Sequence, residues 1–243
     1  MHRDLRILLG TMAVASLAQW GPAVPEVLTR MDTFRLREVE VRGARFLTRD
    51  VVVDQLGVGP QTSIWTDVGV LRDRLLDHPM VREARVTRRP PHGLLVTLEE
   101  RQPIALAPTP TLEPVDADGH RLPLDPAAHR LDLPIIVTTR TPPEGSRVFP
   151  EDVREMAAEL DHLMNADTAF LQMVSSVRLD ARGAIVARWS DPPVEFLLPT
   201  KASPARLREG LGALSNAISR TPRAVPDEID LRFADQVVVR RGN

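Results

Sequence analysis

Chemistry in a protein requires side chains of the right types converging on one point, so histidines, carboxylates and cysteines are placed first. The six histidines stand at positions 2, 78, 92, 120, 129 and 162. No two share the i, i+4 spacing of an HExxH zinc helix, and without a cysteine neither a thiolate metal site nor a disulfide can form. Asp116-Ala117-Asp118-Gly119 has the opening of a calcium loop, but Ala127 occupies the twelfth position, where a bidentate Glu belongs. A hairpin turn is the expected role of that segment. There is no G-x-S-x-G elbow, and Gly57-Val58-Gly59 lacks the remainder of a dinucleotide loop. Glu99-Glu100 would supply two carboxylates for acid–base work. Strand neighbours point to opposite faces, however, so the pair is expected to end a strand in solvent. Arg82, Arg85, Arg88 and Arg89 form a basic run without interleaved aromatic residues, which reads as a solvated strand edge. No catalytic, cofactor-binding or metal-ligating residue is therefore assigned, and no enzyme is expected.

The composition is that of an ordinary folded protein, with 43% hydrophobic and 26% charged residues. A net charge of −2 gives no general attraction to nucleic acid or to an anionic surface. At 243 residues there is room for one or two globular units.

The N-terminus differs from the rest. After Arg3 and Arg6, residues 7–25 contain no charged side chain, and Val27 and Leu28 extend the stretch to nearly the length that crosses a bilayer. A cleaved signal peptide, with Ser16-Leu17-Ala18 as small residues before the cut, and a buried core helix are the competing readings. The expectation is an uncleaved anchor over residues 7–28, with residues 1–6 in the cytoplasm and the remainder outside.

Beyond a polar connector, residues 34–101 read as strand, helix, helix, strand, strand. Val39 and Val41 alternate in a first strand over residues 34–42 that Gly43 ends. Thr48 is placed to cap a helix from Val51 to Leu56, and Gly57 and Gly59-Pro60 break it. A second helix over residues 67–77 puts Val68, Leu71 and Leu75 on one stripe and stops at Pro79. Ala84 and Val86 alternate in the next strand. After the turn at residues 90–93, Leu94, Val96 and Leu98 alternate in another. From Gln102 the texture changes to short strands punctuated by prolines, with a hairpin expected between residues 112–117 and 120–124. A helix over residues 150–165 follows, with Val153, Met156, Leu160 and Leu163 on one face. Three strands carry Val177 and Leu179, then Ile185, Ala187 and Trp189, then Val194, Phe196 and Leu198. Ser203 and Pro204 open a further helix with the stripe Leu207, Leu211, Leu214 and Ile218. The chain closes on two strands, over residues 229–233 and 236–240. The expected fold class is α+β with predominantly antiparallel strands. A terminal strand has no onward connection and easily lies at a sheet edge. Arg240-Arg241 would blunt such an edge, whereas a partner strand would use it, and the sequence leaves both open.

These segments carry a resemblance. The stretch from His78 to Pro90, with Pro79, Val81, Ala84, Val86 and Arg88 in a P-x-V-x-x-A-x-V-x-R pattern, precedes Val96, Glu100, Pro103 and Ala105 in a V-x-x-x-E-x-x-P-x-A exit. Together they resemble the POTRA domain of the FtsQ/DivIB cell-division family. Residues 34–43 are similar to that family's opening strand, residues 115–119 and 133–136 to its second domain, and Ile229-Asp230-Leu231-Arg232-Phe233 to its closing D-L-R strand. The resemblance implies an N-terminal transmembrane helix, a POTRA domain (β-α-α-β-β) over residues 34–101, and a β-rich domain with two helices over residues 102–240. It implies a single-pass protein of the cytoplasmic membrane at the division septum. Such a protein is a non-enzymatic scaffold that links early and late division proteins and binds FtsB- and FtsL-like (DivIC-like) partners and other divisome components. Partner binding is implied at Arg232, Phe233, Gln236, Val237, Val238, Val239 and Arg240, although Arg240-Arg241 stands where the family often carries an aromatic. The alternatives are a POTRA protein of outer-membrane assembly or secretion, which would normally precede a barrel, and an envelope hydrolase.

Overall fold

The computed structural model describes residues 32–109, 111–143, 145–221 and 225–241. The expected anchor and cytoplasmic tail lie outside them. Among the described residues no helix is long and apolar enough to cross a membrane. The chain divides into two compact units between Glu100 and Arg101.

In the first unit the elements run β1 (Glu38–Arg42), α1 (Arg49–Leu56), α2 (Val68–Leu76), β2 (Val81–Arg89) and β3 (Gly93–Glu100). Thr48 caps α1 by accepting the Val51 N–H, and Asp67 caps α2 by accepting that of Gly69. Gly57 ends α1 in the left-handed region at φ +63°. The helices lay Val52, Leu56, Leu71 and Leu75 against Val39, Leu94, Val96 and Leu98. The sheet has the order β1-β3-β2, with β1 parallel to β3 and β2 antiparallel to it. The first strand is shorter than its sequence pattern. Residues 32–34 form a 3-10 turn, and the next backbone groups pair with a loop instead, Leu36 N–H with Thr62 O (2.7 Å) and Ile64 N–H with Phe34 O (2.9 Å).

Glu100 departs from expectation. Glu99 is exposed, but Glu100 is 4% exposed, and its carboxylate accepts the N–H groups of Arg45 (2.9 Å), Phe46 (2.7 Å) and Leu47 (2.9 Å). Three consecutive amides facing one carboxylate hold the loop between β1 and α1, and their dipoles compensate for the desolvation of the buried charge.

The second unit contains β4 (Ala105–Pro108), β5 (Leu112–Val115), β6 (Ile135–Val137), α3 (Glu151–Ala166), α4 (Thr168–Gln172), β7 (Val174–Leu179), β8 (Ile185–Ser190), β9 (Pro193–Leu198), α5 (Pro204–Arg220), β10 (Glu228–Asp230) and β11 (Val238–Arg240). The strands form one sheet in the order β11-β10-β9-β8-β7-β6-β4-β5. Four of its seven pairings are antiparallel, as expected, but β4/β6, β6/β7 and β9/β10 are parallel. Connectivity explains two of these pairings. α3 and α4 lie between β6 and β7, and α5 lies between β9 and β10, so each helical connection returns the chain in the same direction. α4 is a third helix that its five residues hide in the sequence. The hairpin expected at residues 112–124 forms only its first strand. Asp116 Oδ1 takes the N–H groups of Asp118 (3.0 Å) and His120 (2.7 Å), and residues 120–121 make isolated bridges only.

The core lies on the helical face of this sheet. Val153, Met156, Leu160 and Leu163 of α3 and Leu207 of α5 meet Val177, Ala187, Phe196 and Ile229, all 1% exposed or less. Phe170, Trp189 and Phe196 stack at its centre, with ring centroids 4.9–5.3 Å apart. Alternate residues point to the opposite face. There Val186 and Leu197 stay buried beneath ion pairs such as Arg178–Glu195 (2.7 Å).

Candidate functional site

Among the described residues, those with chemical potential do not converge on a reaction centre. His78 accepts the Met80 N–H at Nδ1 (3.2 Å), and burial lowers its pKa against a smaller opposing effect of Glu100. His162 lies 3.1 Å from the Ala202 carbonyl. Asp116, Asp118 and His120 bring three possible ligand atoms within 4.8 Å of one another. The Arg101 guanidinium already sits on both carboxylates, 2.7 Å from Asp116 and 3.4 Å from Asp118. With that cation in place and two amides on Asp116, the cluster is a braced turn. The basic run is likewise dispersed. Arg88 donates to Ile64 O and Thr66 O beside Trp65, and Arg89 pairs with Glu40.

Strand edges are what the second unit presents. A sheet edge carries unpaired backbone donors and acceptors and needs either cover or a partner. The β5 edge is covered: Pro114 has no donor, its carbonyl accepts the Leu122 N–H (2.9 Å), and Val115 bridges Arg121. At the other end β11 pairs on one side with β10, through Glu228↔Arg240, Ile229↔Val239 and Asp230↔Val238. Among the described residues no strand lies on its other side. Phe233 and Val239 are 43% and 38% exposed here.

The supports of this edge are polar. Asp230 is fully buried, and its carboxylate accepts from Arg232 N (3.1 Å), Nε (2.9 Å) and Nη2 (2.8 Å), with Arg240 at 3.7 Å. Arg232 also reaches Asp180 at 3.2 Å. The Arg232 hydrogen bond is the main reason the Asp230 pKa lies below its ordinary value, and Asp230 raises that of Arg232 in return. The Asp180 pKa is lowered first by the amides of Ala184 and Arg182. From α5, Arg206 donates to the carbonyls of Leu231 (2.9 Å), Phe233 and Gln236 (2.5 Å). Arg241 reaches Ala217 O in the last turn of α5 (3.4 Å).

The partner-binding residues implied by the resemblance fall into three groups. Arg232 turns inward to two carboxylates. Val237 packs partly on the core, with Val238 half-buried. Phe233, Gln236, Val239 and Arg240 are exposed, with Arg240 paired to Glu228. The resemblance at the D-L-R strand implied a role for Arg232 but none for Asp230. Nothing in the sequence marked Arg206, whose carbonyl partners lie 25–30 residues away.

Residues 34–101 match the family model described as a POTRA domain of FtsQ type. Three similar proteins, each named cell division protein FtsQ, come from Geobacter sp. strain M21, Rhodothermus marinus and Myxococcus fulvus. The first is 25% identical over 237 residues, covering 96% of this chain and 85% of the relative. The second is 27% identical, covering 86% and 79%, and the third 26% identical, covering 99% and 88%. The extracytoplasmic domain of the division protein DivIB from Geobacillus stearothermophilus aligns at 18% identity over 51% of this chain and 98% of its own, with a TM-score of 0.31. The first unit thus matches a POTRA domain of FtsQ type, and with relatives that span both units the chain as a whole is similar to the FtsQ cell-division proteins.

Proposed function

We propose that this protein is a non-enzymatic divisome scaffold that links early and late division proteins through protein–protein contacts. Residues 7–28 anchor it in the cytoplasmic membrane at the septum, N-terminus inside, with residues 34–101 and 102–240 as its POTRA and β-rich domains outside. FtsB- and FtsL-like partners dock at the C-terminal edge, over Arg232, Phe233 and residues 236–240. One observation carries this reading: among the described residues no strand lies on the outer side of β11, whereas the opposite end of the same sheet is covered. A partner strand added there gains main-chain hydrogen bonds contributing about 1 kcal/mol each. The POTRA match of FtsQ type and the relatives' shared name support the division role, and the uncharged stretch after Arg3 and Arg6 supports the anchor.

Consecutive amides of a strand point to opposite sides. Of Val238→Pro and Val239→Pro, one therefore removes a donor facing β10 and the other the donor facing outward. Affinity for the purified extracytoplasmic segment of the organism's FtsB-like protein should fall for both, while only one variant also loses thermal stability. Wild-type affinity in both variants, each folded, removes β11 from the interface.

A further inference from the structure

The edge is useful for docking only if the residues leading into it hold still. Residues 231–237 form neither helix nor strand, and Phe233, Ala234, Asp235 and Gln236 are exposed. Leu231 and, in part, Val237 are their only contributions to the core. Few buried contacts and an exposed backbone describe a segment that opens readily. Yet three of its carbonyls converge on one side chain. The Arg206 guanidinium, in the first turn of α5, donates from Nε to Leu231 O (2.9 Å) and from Nη2 to Phe233 O and Gln236 O (2.5 Å to the latter), while Nη1 meets Glu209. The side chain is only 11% exposed. The backbone of Arg206 is held by the helix cap, because the Ser203 hydroxyl accepts its main-chain N–H at 3.2 Å. One turn on, Gly210 lets α5 lie against Leu231, whose Cδ1 is 2.7 Å from where a Cβ would stand. A planar guanidinium can serve three acceptors in one fork, whereas an ammonium on a flexible stem cannot reproduce that geometry.

We infer that Arg206 is the positioning residue of the docking edge: it presets the backbone of residues 231–237, so that β11 is presented in one conformation for strand addition. The inference rests on the proposed reading of β11 as the partner's edge. Arg206 acts without touching the partner. Order present before binding does not have to be acquired during it, so loss of the fork weakens association while every contact residue remains.

The test uses the full-length protein with Arg206→Lys, which keeps the charge, and Arg206→Gln. Arg208→Lys is the control, since Arg208 is exposed and its Nε bonds Pro204 O within the same helix. Amide hydrogen exchange is read by segment, beside affinity for the FtsB-like segment and thermal melting. Both variants should raise exchange over residues 233–240 about tenfold or more, and raise Kd about tenfold, with α3 and β7–β9 as protected as in the wild type. Unchanged exchange over residues 233–240 overturns the inference, as does raised exchange with a wild-type Kd. If Arg206→Gln unfolds, Arg206→Lys alone decides. Binding that survives both proline substitutions in β11 sinks the docking reading itself, and the inference with it, whatever the exchange shows.

Discussion

Replacing Asp230 by Asn tests whether the buried carboxylate, rather than the shape of its side chain, supports the C-terminal strands. Asn keeps an oxygen for Arg232 N and Nε, but puts an amide N–H where Oδ2 accepts Arg232 Nη2 at 2.8 Å. The variant thus loses one charge-assisted hydrogen bond, sets two donors against each other, and leaves a guanidinium short of a counter-charge. Removing one partner of a fully buried pair costs about 3–5 kcal/mol. Arg232 is a quarter exposed and retains Asp180 at 3.2 Å, so a loss of about 2–3 kcal/mol is expected here. For a unit of this size that lowers the melting temperature by about 10 °C at pH 7. The pH dependence has a definite sign. The folded-state pKa of Asp230 lies below its ordinary value of 3.8. Its contribution is therefore complete above that value and is lost as pH falls from there through the folded pKa. Asn does not titrate, so the gap between wild type and variant should narrow below about pH 4. Calorimetry of both proteins from pH 7 to pH 3 measures it. A loss under about 0.5 kcal/mol at pH 7, or a gap undiminished at pH 3, refutes the account of Asp230 as a stabilising buried ion.

Four further substitutions probe the frame. Gly43 has φ +82°, and a Cβ there would lie 2.0 Å from the Leu98 carbonyl oxygen, so Gly43→Ala should cost about 3 kcal/mol or more in chemical denaturation of the first unit. Glu100→Ala strips the acceptor from three amides and should cost about 2 kcal/mol, whereas Glu99→Ala should stay within about 0.5 kcal/mol; equal effects would contradict the buried nest. Gly210→Ala sets overpacking against Leu231, about 1–3 kcal/mol, against a helix-propensity gain of about 0.5–1 kcal/mol. Net destabilisation of about 1 kcal/mol should follow by thermal melting, and a stabilised variant would mean that Leu231 moves aside freely.

What the sequence determined by itself was mostly local. Thr48, Asp67 and Ser203 mark helix starts because a side-chain oxygen three or so residues from an amide needs no tertiary help to cap it. The stripes Val153–Met156–Leu160–Leu163 and Leu207–Leu211–Leu214–Ile218 fix which helical faces are buried, since 3.6-residue periodicity is a property of the segment alone. The D-L-R strand, residues 230–232, was marked instead by its resemblance to a known family. Tertiary structure decided whatever depends on partners distant in sequence. Strand direction followed from where helices intervene, which put parallel pairings into a sheet that is otherwise antiparallel as expected. Glu99 and Glu100 look equivalent in sequence. The amides of residues 45–47, more than 50 positions away, bury one and leave the other in water. Arg206 is one of many arginines on an amphipathic helix until three carbonyls 25–30 residues onward meet its guanidinium. Which sheet edge stays open was likewise settled only when residues 121–122 folded over β5 and nothing among the described residues covered β11. An unsatisfied backbone group is defined by what is absent from the space beside it, and that is a property of the fold, not of any residue's neighbours in the chain.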